Sequence, residues 1–239
     1  MASAAQGRAA LLLIDIQYSF LPPSGSLAVQ GGADILPTVY RLLDQANWEG
    51  VWASQDYHPP HHTSFSSSHP PHPPFTSIPL LHARTGKKEQ QDLWPDHCVQ
   101  GTRGAEIEDG VRERVERLRG KVVRKGTDKE LDAYSAFALP LHADPSAQSE
   151  LTSSLLAHKI THLFICGLAT DYCVRATVLD ALAASAEAQA GGGGWEVLVV
   201  KEGVRGVDGS REEEVLKELE GRGAKVVSVE GGEVGRWLK

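Results

Sequence analysis

Asp15, Lys125 and Cys173 supply a carboxylate, an ammonium and a thiol, each at or within a few residues of the end of a short apolar run. Together they are the parts needed for acyl transfer: a base for the thiol proton, a cation to hold charge, and a sulfur to attack a carbonyl carbon. Asp15 follows Leu11-Leu12-Leu13-Ile14, so its carboxylate lies at the lip of a sheet, where a charge needs a partner. Lys125, after Val122-Val123-Arg124, can supply it, and by themselves these two residues read equally well as a structural ion pair. Cys173 lies in Gly167-Leu168-Ala169-Thr170-Asp171-Tyr172-Cys173-Val174, which leads from a buried strand into a helix. In a first helical turn the dipole favours a thiolate and backbone N–H groups can hold an oxyanion. The commoner fate of a single thiol is to pack as a small hydrophobe, and that is the assignment for Cys98 and Cys166.

A second constellation surrounds Asp56-Tyr57-His58. In extended chain, residues i and i+2 point to one side, so carboxylate and imidazole can converge on a cation. His97, in Leu93-Trp94-Pro95-Asp96-His97-Cys98-Val99, offers a third ligand. Two nitrogens and an oxygen suit Zn²⁺, Fe²⁺ or Mn²⁺ and leave positions open for water or substrate. The plainer alternative is that Asp56 caps a turn while both histidines are solvated or hydrogen-bonded. His61, His62, His69 and His72 are further histidines that spacing alone does not separate as added or substitute ligands.

The elements that must position these groups are legible as alternating runs. Ala10–Ile14, Gly50–Ala53, Lys121–Val123, Leu163–Cys166, Val197–Val200 and Lys225–Val229 are apolar on nearly every residue, as strands covered on both faces are. Between them, Ile35, Val39, Leu42 and Leu43 fall on one helical face, and Ile107, Val111, Val115 and Leu118 on another. A helix is predicted over Asp171–Ala190, stopped by Gly191 to Gly194, and one more over Glu213–Leu219. The alternation predicts a three-layer α/β fold, a six-stranded parallel sheet with helices on both faces, whose ligand crevice lies beyond the carboxyl ends of the strands.

The 239 residues read as a single domain, 1–239. One crossover, Asp56 to Lys121, far exceeds the ~12 residues a minimal crossover needs, and an active-site insertion is expected at about 57–100. Its first part, Tyr57 to Ala83, holds seven of the 13 prolines and six of the ten histidines, too much proline for a helix. The polar stretch Asp144 to Ser149 reads as a surface loop. A net charge of −7 argues against a nucleic-acid partner. Three cysteines make an incomplete disulfide set and favour a reducing compartment. The N-terminal apolar run Ala9–Ile14 is short for a signal peptide and far below the ~20 residues of a membrane span, so a cytoplasmic protein is expected, with nucleus and peroxisome left open, as is self-association into a homo-oligomer.

Five segments occur in the order Leu13-Ile14-Asp15-Ile16-Gln17-Tyr18-Ser19-Phe20, Ser54-Gln55-Asp56-Tyr57-His58-Pro59, Leu93 to Thr102, Arg124-Lys125-Gly126-Thr127-Asp128 and Gly167 to Val174. In these the chain resembles the isochorismatase-like hydrolase superfamily, and within it the nicotinamidases (pyrazinamidases), from about Ala10 to Val229. The resemblance implies a six-stranded parallel sheet, a catalytic triad of Asp15, Lys125 and Cys173, and a divalent metal, Zn²⁺ foremost, on Asp56, His58 and His97. It also implies an oxyanion hole from the N–H groups of Ala169 and Cys173, a cis peptide at Leu168–Ala169, and hydrolysis of nicotinamide or pyrazinamide in NAD salvage. In the resulting mechanism Asp15 takes the thiol proton and Lys125 lowers the thiol pKa. Phe20, Trp94, Tyr134 and Tyr172 are candidates for the walls of a flat ring pocket, each equally readable as core. The Pro-, His- and Ser-rich loop departs from the family pattern and leaves the rest of the coordination sphere to water, Ser64, His61 or His69. Alternative readings are hydrolysis of another small amide, a ureido or carbamoyl compound, and a metal-binding module with an inert cysteine. Isochorismate cleavage does not need a cysteine, and Cys173 and the metal residues argue against it.

Overall fold

A computed structural model describes residues 7–238 of the chain. In chain order the elements are β1 (Ala9–Ile14), α1 (Leu36–Gln45), β2 (Gly50–Asp56), β3 (Thr76–Leu81), β4 (Lys88–Leu93), α2 (Asp109–Arg117) and β5 (Lys121–Lys125). They continue with α3 (Glu150–Ala157), β6 (His162–Leu168), α4 (Arg175–Ala190), β7 (Glu196–Arg205), α5 (Glu212–Gly221) and β8 (Lys225–Val227). Six strands form one sheet in the order β5-β2-β1-β6-β7-β8, and every pairing in it is parallel. The predicted sheet is therefore found.

Strand periodicity explains the layers. Leu11 and Leu13 of β1 join one core with Val39, Leu42 and Leu43 of α1 and Val111 and Val115 of α2. Leu12 and Ile14 point the other way, into a core with Leu151 and Leu155 of α3, Val178 of α4, and Val215 and Leu219 of α5. All four of these β1 side chains are essentially fully buried, and each such burial stabilises the fold by roughly 1.5–3 kcal/mol. Consecutive residues of one central strand thus fasten both helical layers.

Departures from expectation lie at the edges. Val122 is 49% exposed, so β5 is an edge strand and is not covered on both faces. The Pro-rich insertion is not irregular throughout: β3 and β4 form an antiparallel two-stranded ribbon in which Pro79 pairs with Gln90. Proline is admissible there because a two-stranded ribbon leaves each strand one free edge. Helix α3 follows the polar stretch directly, capped by the Ser149 hydroxyl accepting from Thr152 N at 3.1 Å. Among the described residues no helix is long and apolar enough to cross a membrane.

Strand order reverses between β1 and β6, so the crevice of this sheet opens above their carboxyl ends. Asp15 follows β1, and Thr170–Val174, one π-helical turn holding Cys173, follows β6. The helix predicted from Asp171 therefore begins as this wider turn and becomes α-helical at Arg175. The peptide between Leu168 and Ala169 is cis.

Candidate active site

Lys125, the last residue of β5, stands opposite Asp56, the last residue of β2, in the strand register. Its Nζ lies 2.6 Å from Asp56 Oδ1, 2.9 Å from Asp15 Oδ2, 3.1 Å from the Ala133 carbonyl oxygen and 3.4 Å from Cys173 Sγ. Four strand ends thus deliver four buried groups to one point. Burying an ammonium costs several kcal/mol, and the two carboxylates offset that cost. Burial alone would lower the Lys125 pKa, but Asp15 and Asp56 outweigh it and hold the ammonium well above its ordinary value.

Asp15 takes a left-handed backbone at φ 48°, a conformation that a short polar residue tolerates better than most. Ser54 of β2 fixes it twice, accepting from Asp15 N at 3.2 Å and donating to Oδ1 at 2.6 Å. Burial raises the Asp15 carboxyl, and the nearby Asp56 charge adds to this, against the pull of Lys125 and Ser54. Burial likewise pushes the Cys173 thiol well up; Lys125 draws it down, while Asp15 and Asp56 raise it further. Lys125 thus acts on the thiol in the expected direction, lowering its pKa, while burial and the two carboxylates outweigh that pull. The thiol lies beside a carboxylate, Asp15, that can accept its proton.

Asp56, His58 and His97 offer donor atoms that all lie within 4.8 Å of one another. Each histidine spends Nδ1 on a backbone carbonyl, His58 on Gly126 at 2.9 Å and His97 on Pro95 at 2.8 Å. Carbonyls only accept, so both Nδ1 atoms carry hydrogen and both Nε2 lone pairs are available. Asp56 Oδ2 is 3.5 Å from His58 Nε2. With Asp15, Asp56 and Lys125 all ionised, one buried negative charge would remain. A divalent cation between Asp56 and the two imidazoles, or a proton on Asp15, offsets it. The donor set and its charge therefore fit a divalent metal.

Gly126 has φ +60°, and a Cβ placed on it would lie 2.3 Å from His58 Cε1. The glycine after Lys125 is thus required both by its backbone and by the imidazole packed on it. Of the four histidines left unseparated by spacing, His62 is the one brought near. Its ring stacks on His58 with centroids 4.1 Å apart. Its Nδ1 is 2.8 Å from Ser64 Oγ, and its Nε2 faces the Leu131 carbonyl oxygen at 3.3 Å. Ser64 thus meets His62. His61 and His69 instead line a cavity of about 630 Å³ beside β3, with Leu80, Lys129 and Glu130. His72 is exposed on the loop.

A smaller pocket opens directly on the thiol. Its lining includes Phe20, Trp94, Tyr134 and Tyr172, together with Asp56, His97, Ala169 and Cys173. Trp94 and Tyr172 meet edge to face at 4.9 Å, and Trp94 Nε1 donates to Tyr134 Oη at 3.2 Å. Leu27 and Val207 complete the lining, and neither was anticipated because an apolar residue in a loop carries no sequence signal of its own. Ser54 and His62 were missed as supports because their role lies in what they touch.

An isochorismatase domain matches residues 9–231. The nicotinamidase of Escherichia coli (strain K12) is 38% identical over 201 residues, covering 83% of this chain and 84% of that protein. The yeast nicotinamidase bound to the inhibitor nicotinaldehyde is 26% identical, with a TM-score of 0.82 over 92% of this chain and 99% of that one. The pyrazinamidase of Pyrococcus horikoshii in complex with zinc is 28% identical, with a TM-score of 0.65 over 92% of this chain and 99% of that one.

Proposed function

The chain belongs to the isochorismatase family, and on that premise we propose that it is a nicotinamidase, hydrolysing the carboxamide C–N bond of nicotinamide to give nicotinate and ammonia. The observation that carries this reading is the convergence of Cys173 Sγ, Lys125 Nζ and Asp15 at the floor of an aromatic pocket. Similarity to the Escherichia coli nicotinamidase across most of both chains supports it. The reading takes the chain as a cytoplasmic enzyme whose partner is a small flat amide, nicotinamide or pyrazinamide.

In the proposed mechanism Asp15 removes the Cys173 proton as sulfur attacks the carboxamide carbon, forming the S–C bond. Lys125 stabilises the charge passing between thiol and carboxylate. Backbone N–H groups of Ala169 and Cys173 receive the oxyanion, an interaction typically worth about 3 kcal/mol per donor. Asp15 returns its proton to the nitrogen as the C–N bond breaks and ammonia leaves. Asp15 then takes a proton from water, whose oxygen attacks the thioester; the S–C bond breaks and sulfur regains its proton. Phe20, Trp94, Tyr134 and Tyr172 orient the ring and exclude water.

Asp56, His58 and His97 would hold the divalent metal, Zn²⁺ foremost, with Fe²⁺ and Mn²⁺ compatible with the same donors. When bound it supplies a Lewis-acid anchor for a ring nitrogen. The test is ammonia release from nicotinamide, with ureido and carbamoyl compounds in parallel, by chelated and metal-reconstituted protein. Stoichiometric nicotinate and ammonia from the reconstituted protein is the expected result. Turnover of a ureido compound in preference to nicotinamide would overturn the substrate assignment, and undiminished turnover after chelation would overturn the metal.

A further inference from the structure

Beyond β7 the chain continues as Gly206-Val207-Asp208. Val207 lines the pocket beside Leu27 and Tyr172 yet remains 36% exposed. Burial does not anchor such a side chain, so its place must be set through the backbone. Val207 N donates to Asp171 Oδ1 at 2.9 Å, and Asp208 N donates to Asp171 Oδ2 at 3.0 Å. One carboxylate thus receives two successive backbone N–H groups, one on each oxygen, which fixes the loop in orientation as well as distance. At the strand end, Gly206 N donates to Glu212 Oε2 at 2.8 Å, and Arg205 Nη1 donates to Glu212 Oε1 at 3.0 Å. Asp171 stands in the same π-helical turn as Cys173, two residues before it. The turn that presents the thiol therefore also tethers Val207 in the lining of the same pocket.

We infer that Asp171 is a positioning residue that sets the width of the substrate pocket by holding Val207 in its lining, and that Val207 limits the ring substituents the pocket admits. This rests on the amide-hydrolase reading above. It adds a specificity device in which neither residue reacts. Val207 is an apolar, partly exposed part of the lining apart from the aromatic walls, so its position bears on which ring substituents fit.

The test compares Asp171→Asn, Val207→Ala and the double variant, all metal-loaded, on nicotinamide and a ring-methylated nicotinamide. Asn keeps one acceptor and loses the other. Each single variant should raise KM for nicotinamide up to about tenfold with kcat within about twofold, the scale of one lost hydrogen bond to a charged group. Each should also erode the preference for nicotinamide over the methylated amide. In the Val207→Ala background, Asp171→Asn should add little, because both act through one side chain. Fully additive effects, a loss confined to kcat, or a lower melting temperature with unchanged kinetics would each overturn the inference.

A second measurement needs no substrate: the rates at which Cys173 reacts with iodoacetamide and with the bulkier N-phenylmaleimide. Asp171→Asn should raise the bulky reagent's rate several-fold relative to the small one, and an unchanged ratio overturns the inference. If wild-type protein fails to hydrolyse nicotinamide, the functional reading falls while this ratio still decides the role of Asp171.

Discussion

Lys125 and Asp56 are register partners at the ends of neighbouring strands and meet at 2.6 Å, so one ion pair joins the surroundings of the Cys173 thiol to the proposed metal ligands. The same ammonium reaches Asp15 and Cys173. Changes on either side of Lys125 should therefore be felt on the other.

Lys125→Met leaves Asp15 and Asp56 as buried carboxylates without their shared cation. Breaking a buried pair in this way costs about 3–5 kcal/mol, and turnover should be lost. A bound divalent ion would then carry more of the neutralisation of these carboxylates, so chelation should lower the melting temperature of the variant more than that of wild type. Equal shifts on chelation would contradict the coupling.

The Cys173 thiol is raised by burial and by the two carboxylates and drawn down by Lys125. Asp15→Asn removes a contribution that raises it, so the pH profile of Cys173 alkylation should move to lower pH even as amide hydrolysis is lost. Lys125→Met removes the contribution that lowers it, and the profile should move to higher pH. Alkylation rates measured across pH give both signs, and shifts in the same direction would be inconsistent with this arrangement.

Gly126→Ala places a methyl group 2.3 Å from His58 Cε1 at a backbone φ of +60°. The imidazole must move, and with it the Nε2 atom offered to a metal. Loss of a supporting contact to a ligand typically costs 10–100-fold in metal affinity (order of magnitude). Metal titration should show that loss while Cys173 remains alkylatable. Unchanged affinity would place the metal elsewhere than at His58.

Much of this arrangement was readable in the sequence because chemistry at strand ends leaves a local mark. A buried strand is a run of apolar residues, and the first polar residue after it is conspicuous, as Asp15 is after Ile14; Asp56 stands three residues past the run Gly50–Ala53, as the last residue of β2. Phe20, Trp94, Tyr134 and Tyr172 do gather around Cys173, although nothing local distinguished them from core aromatics. What escaped was set by pairing between distant segments. β4 is mostly polar and exposed, and in β3 a proline interrupts Ile78, Leu80 and Leu81, so neither strand carries the unbroken apolar run of a buried strand. Helix α3 is eight residues long and follows a stretch that reads as loop. The stacking of His62 on His58 and the tether from Asp171 to Val207 exist only once the chain has folded.

The central claim is that the Cys173 sulfur attacks the amide, and it is tested most directly by ammonia release from nicotinamide by metal-loaded Cys173→Ala beside wild type. Removal of a catalytic nucleophile typically lowers kcat by about 10⁴-fold or more. The account predicts a loss on that scale with metal binding retained; turnover by the variant within about tenfold of wild type would contradict it.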